Sequence, residues 1–169
     1  VPVVSGPTGW LDKYDDICTL CKSLDGAFLF ASNFSLGMNI FFHFNKELAR
    51  VMNRFREYDV RLEETHHVHK IDKPSGTAIK LAEDILALNT SKKSWVNKET
   101  HNPDNLEVIS KREGDITGIH KVQYNSEFDE LAIYHEAKTR QGFAHGALLA
   151  AKWIIGKKGV FSFNDILQL

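Results

Sequence analysis

The sequence has few cysteines, no long apolar run and almost no net charge. Its 169 residues include two cysteines and carry a formal net charge of −1, which argues against a disulfide scaffold and against a nucleic-acid partner. No apolar run approaches the roughly 18 residues that span a bilayer, and no signal-like segment opens the chain. We therefore expect no membrane partner and a cytoplasmic location.

The two cysteines, Cys18 and Cys21, form a C-x-x-C pair. A zinc or redox site of this kind needs a second ligand pair or a thioredoxin-like context, and the sequence contains neither. Tyr14, Cys18 and Cys21 recur at helical spacing. We therefore expect both thiols to line the buried face of a short helix rather than to bind a metal.

The first third of the chain reads as strand, helix, strand. "VPVVSGPTG" predicts a short strand and a turn, residues 12–23 a helix, and "GAFLFASNF" a second strand. Because no hairpin turn separates the two strands, this order predicts a parallel β-α-β unit. Ligands gather at the carboxyl ends of such strands, so residues 6–9 and 31–34 are expected to face one crevice.

The remaining chain predicts an α+β arrangement. A long amphipathic helix is expected over residues 37–55, a strand over 58–67 and an exposed loop over 89–105, before an apolar helix over 143–155. Three further strand-like runs are separated by segments that suit antiparallel hairpins. Together with the strand at 58–67 they predict an open, mixed sheet of four strands. One face of that sheet is expected to serve self-association, and we place on it Lys111, His120, Gln123 and Tyr134.

The densest functional signal is "ETHHVHKIDKPSGTA", residues 64–78. Ser75, Gly76 and Thr77 precede a helix, where unpaired N–H groups and the macrodipole favour an anion. Lys70 and Lys73 add positive charge just upstream. The same Pro-Ser-Gly-Thr segment is also explained by Ser75 acting only as an N-cap, worth about 1 kcal/mol.

The histidines of this stretch allow three interpretations. They can be structural, or His67, His69 and Asp72 can bind zinc, although an ammonium group at Lys70 would oppose a divalent cation. In the third interpretation an imidazole transfers a proton near neutral pH while the neighbouring Lys70 holds substrate charge. On a strand, His67 and His69 would share one face.

The same stretch closely resembles the signature of the 4-hydroxy-tetrahydrodipicolinate reductases, also called dihydrodipicolinate reductases, of lysine and diaminopimelate biosynthesis. "GPTG", "FASNFSLGMN", "KREGDITGIHKV" and "HEAKTRQGFAHGALLAAKWI" follow in the family's order. The resemblance implies reduction of a cyclic dicarboxylate imine to tetrahydrodipicolinate by NADPH or NADH, in a homotetramer assembled through the open sheet.

The resemblance also implies roles for individual residues. His66 would be the acid-base residue and Lys70 the proton donor, and the substrate would be held by His67, Ser75, Gly76 and Thr77. Arg140 matches a family arginine and is given a minor hinge or ligand role. Asp72, Asp115 and His120 are expected to be structural. The cofactor would contact two segments, Gly6, Pro7, Thr8 and Ala31, Ser32, Asn33, Phe34.

The chain departs from the family pattern in one large respect. The strand, G-x-x-G-x-x-G turn and helix that hold the dinucleotide phosphates are absent from these residues. We therefore expect a form that lacks the start of its dinucleotide domain and is weakly active or inactive. Pro7 and Lys73 also replace the family's common threonine and alanine.

The expected organisation is α/β, with a partial Rossmann-like domain and an α+β domain. Residues 1–34 and 141–169 would belong to the dinucleotide domain, and 35–140 would form the substrate and oligomerisation domain. Two alternatives stay open: a metal-dependent hydrolase using His67, His69 and Asp72, and a non-catalytic dicarboxylate-binding assembly domain.

Overall fold

The structure is a computed structural model that describes residues 1–168. It consists of two compact units, one made of Val1–Ile40 with Arg140–Leu169 and the other of Phe41–Thr139. Each unit has its own β-sheet, which agrees with the α/β class predicted from the sequence. Among the described residues, none of the helices has both the length and the apolar character needed to cross a membrane.

The first unit is built on a small parallel sheet. Its strands lie in the order β1-β2-β8 and span β1 Val3–Ser5, β2 Ala27–Phe30 and β8 Gly159–Phe161. A 3₁₀ turn, Leu11–Lys13, leads into the first helix. The helices that belong wholly to this unit are α1 Tyr14–Ser23, α4 Gln141–Trp153 and α5 Phe163–Leu167. The parallel pairing of β1 with β2 confirms the predicted β-α-β order.

The segments that follow β1 and β2 lie side by side. The Ala31 amide donates to the Ser5 carbonyl at 3.2 Å. A Cβ on Gly6 would come within 3.2 Å of the Phe34 ring, so this glycine permits close approach of the two segments. The segments 6–9 and 31–34 therefore lie close together within this unit, as expected.

The thiols are on α1 as predicted, but only one is buried. Cys21 is 9% exposed and its sulfur lies 3.6 Å from the Gly159 carbonyl oxygen, whereas Cys18 is partly exposed. Both are free thiols. Cys21 thus packs where α1 meets the sheet, as a small apolar side chain does.

The second unit is a mixed five-stranded sheet in the order β4-β5-β3-β6-β7. Its helices are α2 Leu36–Met52, which begins in the first unit's range, and α3 Gly76–Leu86. Its strands are β3 Asp59–His66, β4 Ser94–Val96, β5 Asn105–Arg112, β6 Ile119–Asn125 and β7 Glu130–Glu136.

One face of this sheet is covered by α3, which packs on β3, β4 and β5. The inward side chains of α3 are fully buried, and they are Ala78, Leu81, Ala82 and Ile85. Alternate residues of the strands, such as Val60, Leu62, Val108 and Val122, are also buried, with 0–1% exposure. Burying each large apolar side chain contributes roughly 1.5–3 kcal/mol to stability. This layer therefore holds β3 and α3 in fixed positions relative to each other.

The predicted count of four strands was wrong, because the segment expected to be an exposed loop contains β4. Ser94–Val96 pairs in parallel with residues 105–107. Lys92 anchors the approach to β4, since its buried ammonium group lies 2.5 Å from Asp59 and donates to the Pro103 carbonyl at 3.0 Å. Three residues are too few to show alternation in a sequence.

The predicted hairpin between β5 and β6 was also wrong. β3 lies between them, parallel to β5 and antiparallel to β6, so the Gly-Asp-x-x-Gly segment crosses the end of β3. The hairpin between β6 and β7 is present. A sequence with a short turn between two strands favours a hairpin, but here both strands pair with β3 instead of with each other.

His120 does not lie on the open face of the sheet, contrary to the prediction. It pairs in register with Glu64 and is 4% exposed, because 120, 122 and 124 are the alternating inward positions of β6. Lys111 is on the open face. That face is rich in ion pairs rather than apolar, as Arg61 lies near Glu63 and Glu107 while Lys111 lies 3.0 Å from Glu63.

Candidate active site

Glu64 joins the end of β3 to the start of α3. Its side chain is fully buried, and the Ser75 amide donates to its Oε1 at 3.0 Å. Ser75 Oγ in turn accepts from the Ala78 amide at 3.1 Å, which confirms the predicted N-cap. The strand tip and the helix start, adjacent in the quoted stretch, are therefore tied together through one carboxylate.

Two imidazoles flank the same carboxylate. His66 Nδ1 lies 3.3 Å from Glu64 Oε2, and His120 Nε2 lies 3.8 Å from it. The two ring centroids are 5.2 Å apart. Both histidines are buried, so an anion between them is the group that compensates their removal from water.

Burial and hydrogen bonding determine the ionisation of this cluster. Burial raises the pKa of Glu64, but hydrogen bonds from His66, Ser75 and Ser110 outweigh it and leave this pKa well below its ordinary value. Burial and the nearby His66 lower the pKa of His120 to about 3, although Glu64 opposes the shift. At neutral pH the cluster therefore holds a carboxylate and a neutral His120.

The low pKa of His120 predicts acid sensitivity. An unfolded histidine binds a proton near pH 6.5, whereas folded His120 does so only near pH 3, so stability is complete above 6.5 and is lost as the pH falls toward 3. We expect the free energy of unfolding to drop by about 2 kcal/mol between pH 7 and pH 5 through this group alone. Urea unfolding at both pH values measures the drop.

The variant His120→Gln should lose that part of the pH dependence. The matched control is His101→Gln, because His101 is exposed and its replacement should leave the dependence intact. Identical pH dependence in the two variants would contradict the assignment.

Lys70 lies in a turn beyond β3 and forms an ion pair with Asp72. Its ammonium group donates to both Asp72 oxygens, at 2.7 and 2.8 Å. The strand stops at His66, and the Lys70 amide donates to the His67 carbonyl at 3.1 Å. The expectation that His67 and His69 lie on a strand was therefore wrong, yet their rings remain close, with centroids 6.3 Å apart.

The start of α3 is open to a ligand at the expected glycine. Gly76 is exposed, and a Cβ placed on it would meet nothing within 4 Å. Thr77 beside it is partly buried. The open backbone, together with the helix dipole, makes residues 75–77 suitable for an anionic group.

Two charged residues of the site were not singled out from the sequence. Glu64 continues the inward alternation of Val60 and Leu62, and a charge at an inward strand position needs a buried partner. Arg112 ends β5 opposite His66, and its NH2 lies 3.4 Å from Glu64 Oε1. The alternation could have revealed Glu64, but Arg112 depends on the order of the strands.

The residues that could bind a metal ion in the structure differ from those predicted from the sequence. Among residues 1–168, the group with three potential ligand atoms within 4.8 Å is Glu64, His66 and His120, not His67, His69 and Asp72. The Asp72 carboxylate is occupied by Lys70. Arg112 already neutralises Glu64, which disfavours a further divalent charge there.

The predicted cofactor segments belong to the first unit. Asn33 organises the second of them, because its Oδ1 accepts from the Ser35 amide at 2.9 Å and its carbonyl accepts from Asn39 at 2.8 Å. Gly6 lies against Phe34, as described above. Arg140, given a minor role, is the N-cap residue of α4.

Fold and site together define an α/β protein with an imidazole, an ammonium group and a helix start assembled around one strand tip. A family model described as "Dihydrodipicolinate reductase, C-terminus" matches residues 37–167. The chain is 48% identical over 168 residues to the 4-hydroxy-tetrahydrodipicolinate reductase of Christiangramia forsetii, covering 99% of this chain and 70% of that protein. It is 35% identical over 176 residues to that of Neisseria meningitidis serogroup B, covering 100% and 64%.

The chain belongs to the dihydrodipicolinate reductase family. Its fold is also similar to a dipicolinate-bound dihydrodipicolinate reductase from Paenisporosarcina sp. TG-14, with a TM-score of 0.74, 22% identity, and 98% of this chain and 64% of that chain covered. The chain thus spans about two thirds of the length of these relatives.

Proposed function

We propose that this chain provides the substrate site of a 4-hydroxy-tetrahydrodipicolinate reductase of lysine and diaminopimelate biosynthesis. The observation that supports the proposal is the buried Glu64, which contacts both His66 at the tip of β3 and the start of α3, with the turn that carries Lys70 between them in the sequence. A cyclic dicarboxylate requires such donors and cations. The names of the relatives support the same activity.

In the proposed reaction the ring gains a hydride and a proton. Bound NADPH or NADH supplies the hydride. The ring then carries extra negative charge, which His66 and Lys70 stabilise and neutralise by transferring a proton to carbon. His67, Ser75, Gly76 and Thr77 hold the carboxylates, with the N–H groups at the start of α3 as donors.

The chain's own residues fit the cofactor in part. The segments Gly6–Thr8 and Ala31–Phe34 follow parallel strands, where nucleotides bind in doubly wound sheets, and the glycine keeps their approach open. Pro7 provides no backbone donor in the first of them. We propose that these segments contact the nicotinamide end and that reductase activity depends on further phosphate contacts.

The proposal extends to assembly and location. The face of the second unit's sheet opposite α3 carries exposed Tyr134 and a network of paired charges, and we propose it as the surface of a homotetramer in the cytoplasm. Neither a metal-dependent hydrolase nor a non-catalytic dicarboxylate-binding assembly domain is favoured, since the family is one of reductases.

Calorimetric titration of this chain with pyridine-2,6-dicarboxylate tests the substrate site. We expect binding, and Thr77→Val should weaken it roughly tenfold or more because a hydroxyl bonded to a charged group contributes about 1.5–3 kcal/mol. Thr65→Val is the matched control, since Thr65 lies on the open face of β3. Equal affinities in the two variants, or no binding at all, would refute the site.

A parallel titration with NADH separates the reductase from a non-catalytic dicarboxylate-binding domain. The reductase proposal expects NADH to bind to a form of this protein that has the full length of its relatives. Dicarboxylate binding without NADH binding in that form would support the non-catalytic dicarboxylate-binding domain.

A further inference from the structure

We propose that Glu64 and Arg112 act as a positioning pair that sets the placement of His66, Lys70 and the start of α3 relative to one another. The pair is not assigned to contact the substrate. This inference deepens the proposed function, and rests on it for the roles of His66 and Lys70. The two side chains make five contacts that support this role, one of them with each other.

Glu64 fixes the imidazole and the helix start together. Its Oε2 faces His66 Nδ1 at 3.3 Å while its Oε1 accepts the Ser75 amide at 3.0 Å. Neither His66 Nδ1 nor Glu64 Oε2 makes a hydrogen bond of good geometry among the described residues, so the 3.3 Å approach of these two buried atoms is an electrostatic contact. A carboxylate opposite Nδ1 selects the tautomer in which Nδ1 carries the proton, and this leaves Nε2 to exchange protons.

The opposite edge of the ring is limited by Gly118. A Cβ there would lie 3.1 Å from His66 Nε2 and 3.3 Å from Cδ2. The ring therefore has little room on that side, because a residue larger than glycine at 118 would press on Nε2. Glu64 and Gly118 together define one orientation of His66.

Arg112 fixes the turn that carries Lys70. Its guanidinium donates to the Lys70 carbonyl at 3.3 Å and to the Asp72 carbonyl at 2.5 Å, and NH2 lies 3.4 Å from Glu64 Oε1. The planar fork of an arginine can bond several acceptors at fixed angles, which a lysine cannot. Residues 70 and 72 are thereby linked to the same carboxylate that holds His66.

The arrangement depends on charge and not only on packing. Glu64 is fully buried and lies at the centre of the site, and a buried carboxylate without donors costs several kcal/mol. A glutamine there would present one acceptor and one donor, so it could not accept from Ser75, His66 and Arg112 together. The charge is therefore needed to hold all three groups at once.

The test uses the variants Glu64→Gln and Arg112→Lys. The matched controls are Glu63→Gln and Lys111→Gln, which change one acidic and one basic residue one position away. Both lie on the opposite face of the same strands, where they pair with each other at 3.0 Å. Glu64→Asp is a second variant that retains the charge, in case the glutamine variant does not fold.

The first readout is nitrogen-15 NMR of the His66 ring in this chain, with signals assigned by their loss in His66→Gln. We expect the Nδ1–H tautomer in the unmodified protein and in both controls, a mixture in Glu64→Gln, and recovery of the single tautomer in Glu64→Asp. An unchanged tautomer in Glu64→Gln would overturn the proposal. This measurement needs no enzymatic activity.

The second readout is the rate of NADPH oxidation in a form with the full length of the relatives. Each variant should lower kcat about 10- to 100-fold, with KM changed much less, and the double variant should be little slower than the worse single one. Additive effects, or losses no larger than in the controls, would refute the pair. Absence of activity in the unmodified protein would refute the proposed function, and the tautomer measurement would still decide the pairing of Glu64 with His66.

Discussion

Replacing His66 or Lys70 with glutamine is expected to lower kcat of the reductase by about 10²- to 10⁴-fold, the usual contribution of a positioned proton donor. His66 is buried beside Glu64, and Lys70 is held by Asp72 at 2.7 Å. Both groups thus have defined positions before any ligand binds, which is what efficient proton transfer requires. The measurement is NADPH oxidation in a form of the protein that has the full length of its relatives.

The controls come from the same stretch of sequence. His69→Gln and Lys73→Gln change the same residue types on exposed positions of the turn, and they should leave kcat close to that of the unmodified enzyme. The double variant His66→Gln/Lys70→Gln should be far less impaired than the product of the single effects, because both groups serve one proton transfer. Rates in the single variants equal to those of the controls would rule out the proposed roles.

The ammonium group of Lys70 forms an ion pair with the carboxylate of Asp72. Burial raises the pKa of Asp72, but the hydrogen bond from Lys70 outweighs it and holds this pKa below its ordinary value. Asp72 is therefore an anion at neutral pH and a partner for the ammonium group. Asp72 was expected to be structural, and its two contacts with the Lys70 ammonium group support a role in holding that side chain in place.

Local periodicity predicted the parts of the fold that depend on neighbouring residues. The burial of Ala78, Leu81 and Ile85 on α3 and the capping by Ser75 follow from helical spacing and from the hydroxyl before the helix. The parallel pairing of β1 with β2 follows from the missing hairpin turn. In each case the determining interactions lie within a few residues along the chain.

The order of strands in the second unit could not be predicted in the same way. Whether β6 pairs with β5 or with β3 is decided by which apolar faces match across the sheet, and strands of equal length and alternation leave that choice open. The misplacement of His120 has a related cause, since a histidine alone does not indicate which face is inward. Arg112 meets Glu64 only because β5 lies beside β3.

The family resemblance supplied what periodicity lacked. It predicts roles for His66 and Lys70, and the structure adds a buried carboxylate, Glu64, that contacts His66, the helix start and Arg112. Residues 6–8 and 31–34 are close in space within the first unit, and their role toward a cofactor stays a prediction.

Alanine at Gly146 is expected to unfold the first unit or to destabilise it by about 3 kcal/mol or more. Gly146 lies on α4, and a Cβ there would be 1.6 Å from the carbonyl oxygen of Phe34 and 2.8 Å from its carbonyl carbon. Backbone atoms cannot give way as a flexible side chain can. α4 would have to move away from the core formed by Leu29, Ala150 and Phe163.

Gly142→Ala is the matched control in the same helix, because a Cβ at that position would meet nothing within 4 Å. It should leave stability unchanged or raise it by up to about 1 kcal/mol, as expected when alanine replaces glycine in a helix. Hydrogen exchange of β2 amides measures the stability of this unit separately from the other. Phe34 lies in the segment proposed for the cofactor. Gly146→Ala should therefore also abolish NADH binding by a form of the protein that has the full length of its relatives. Equal exchange rates in the two alanine variants would show that α4 does not pack on the Phe34 backbone.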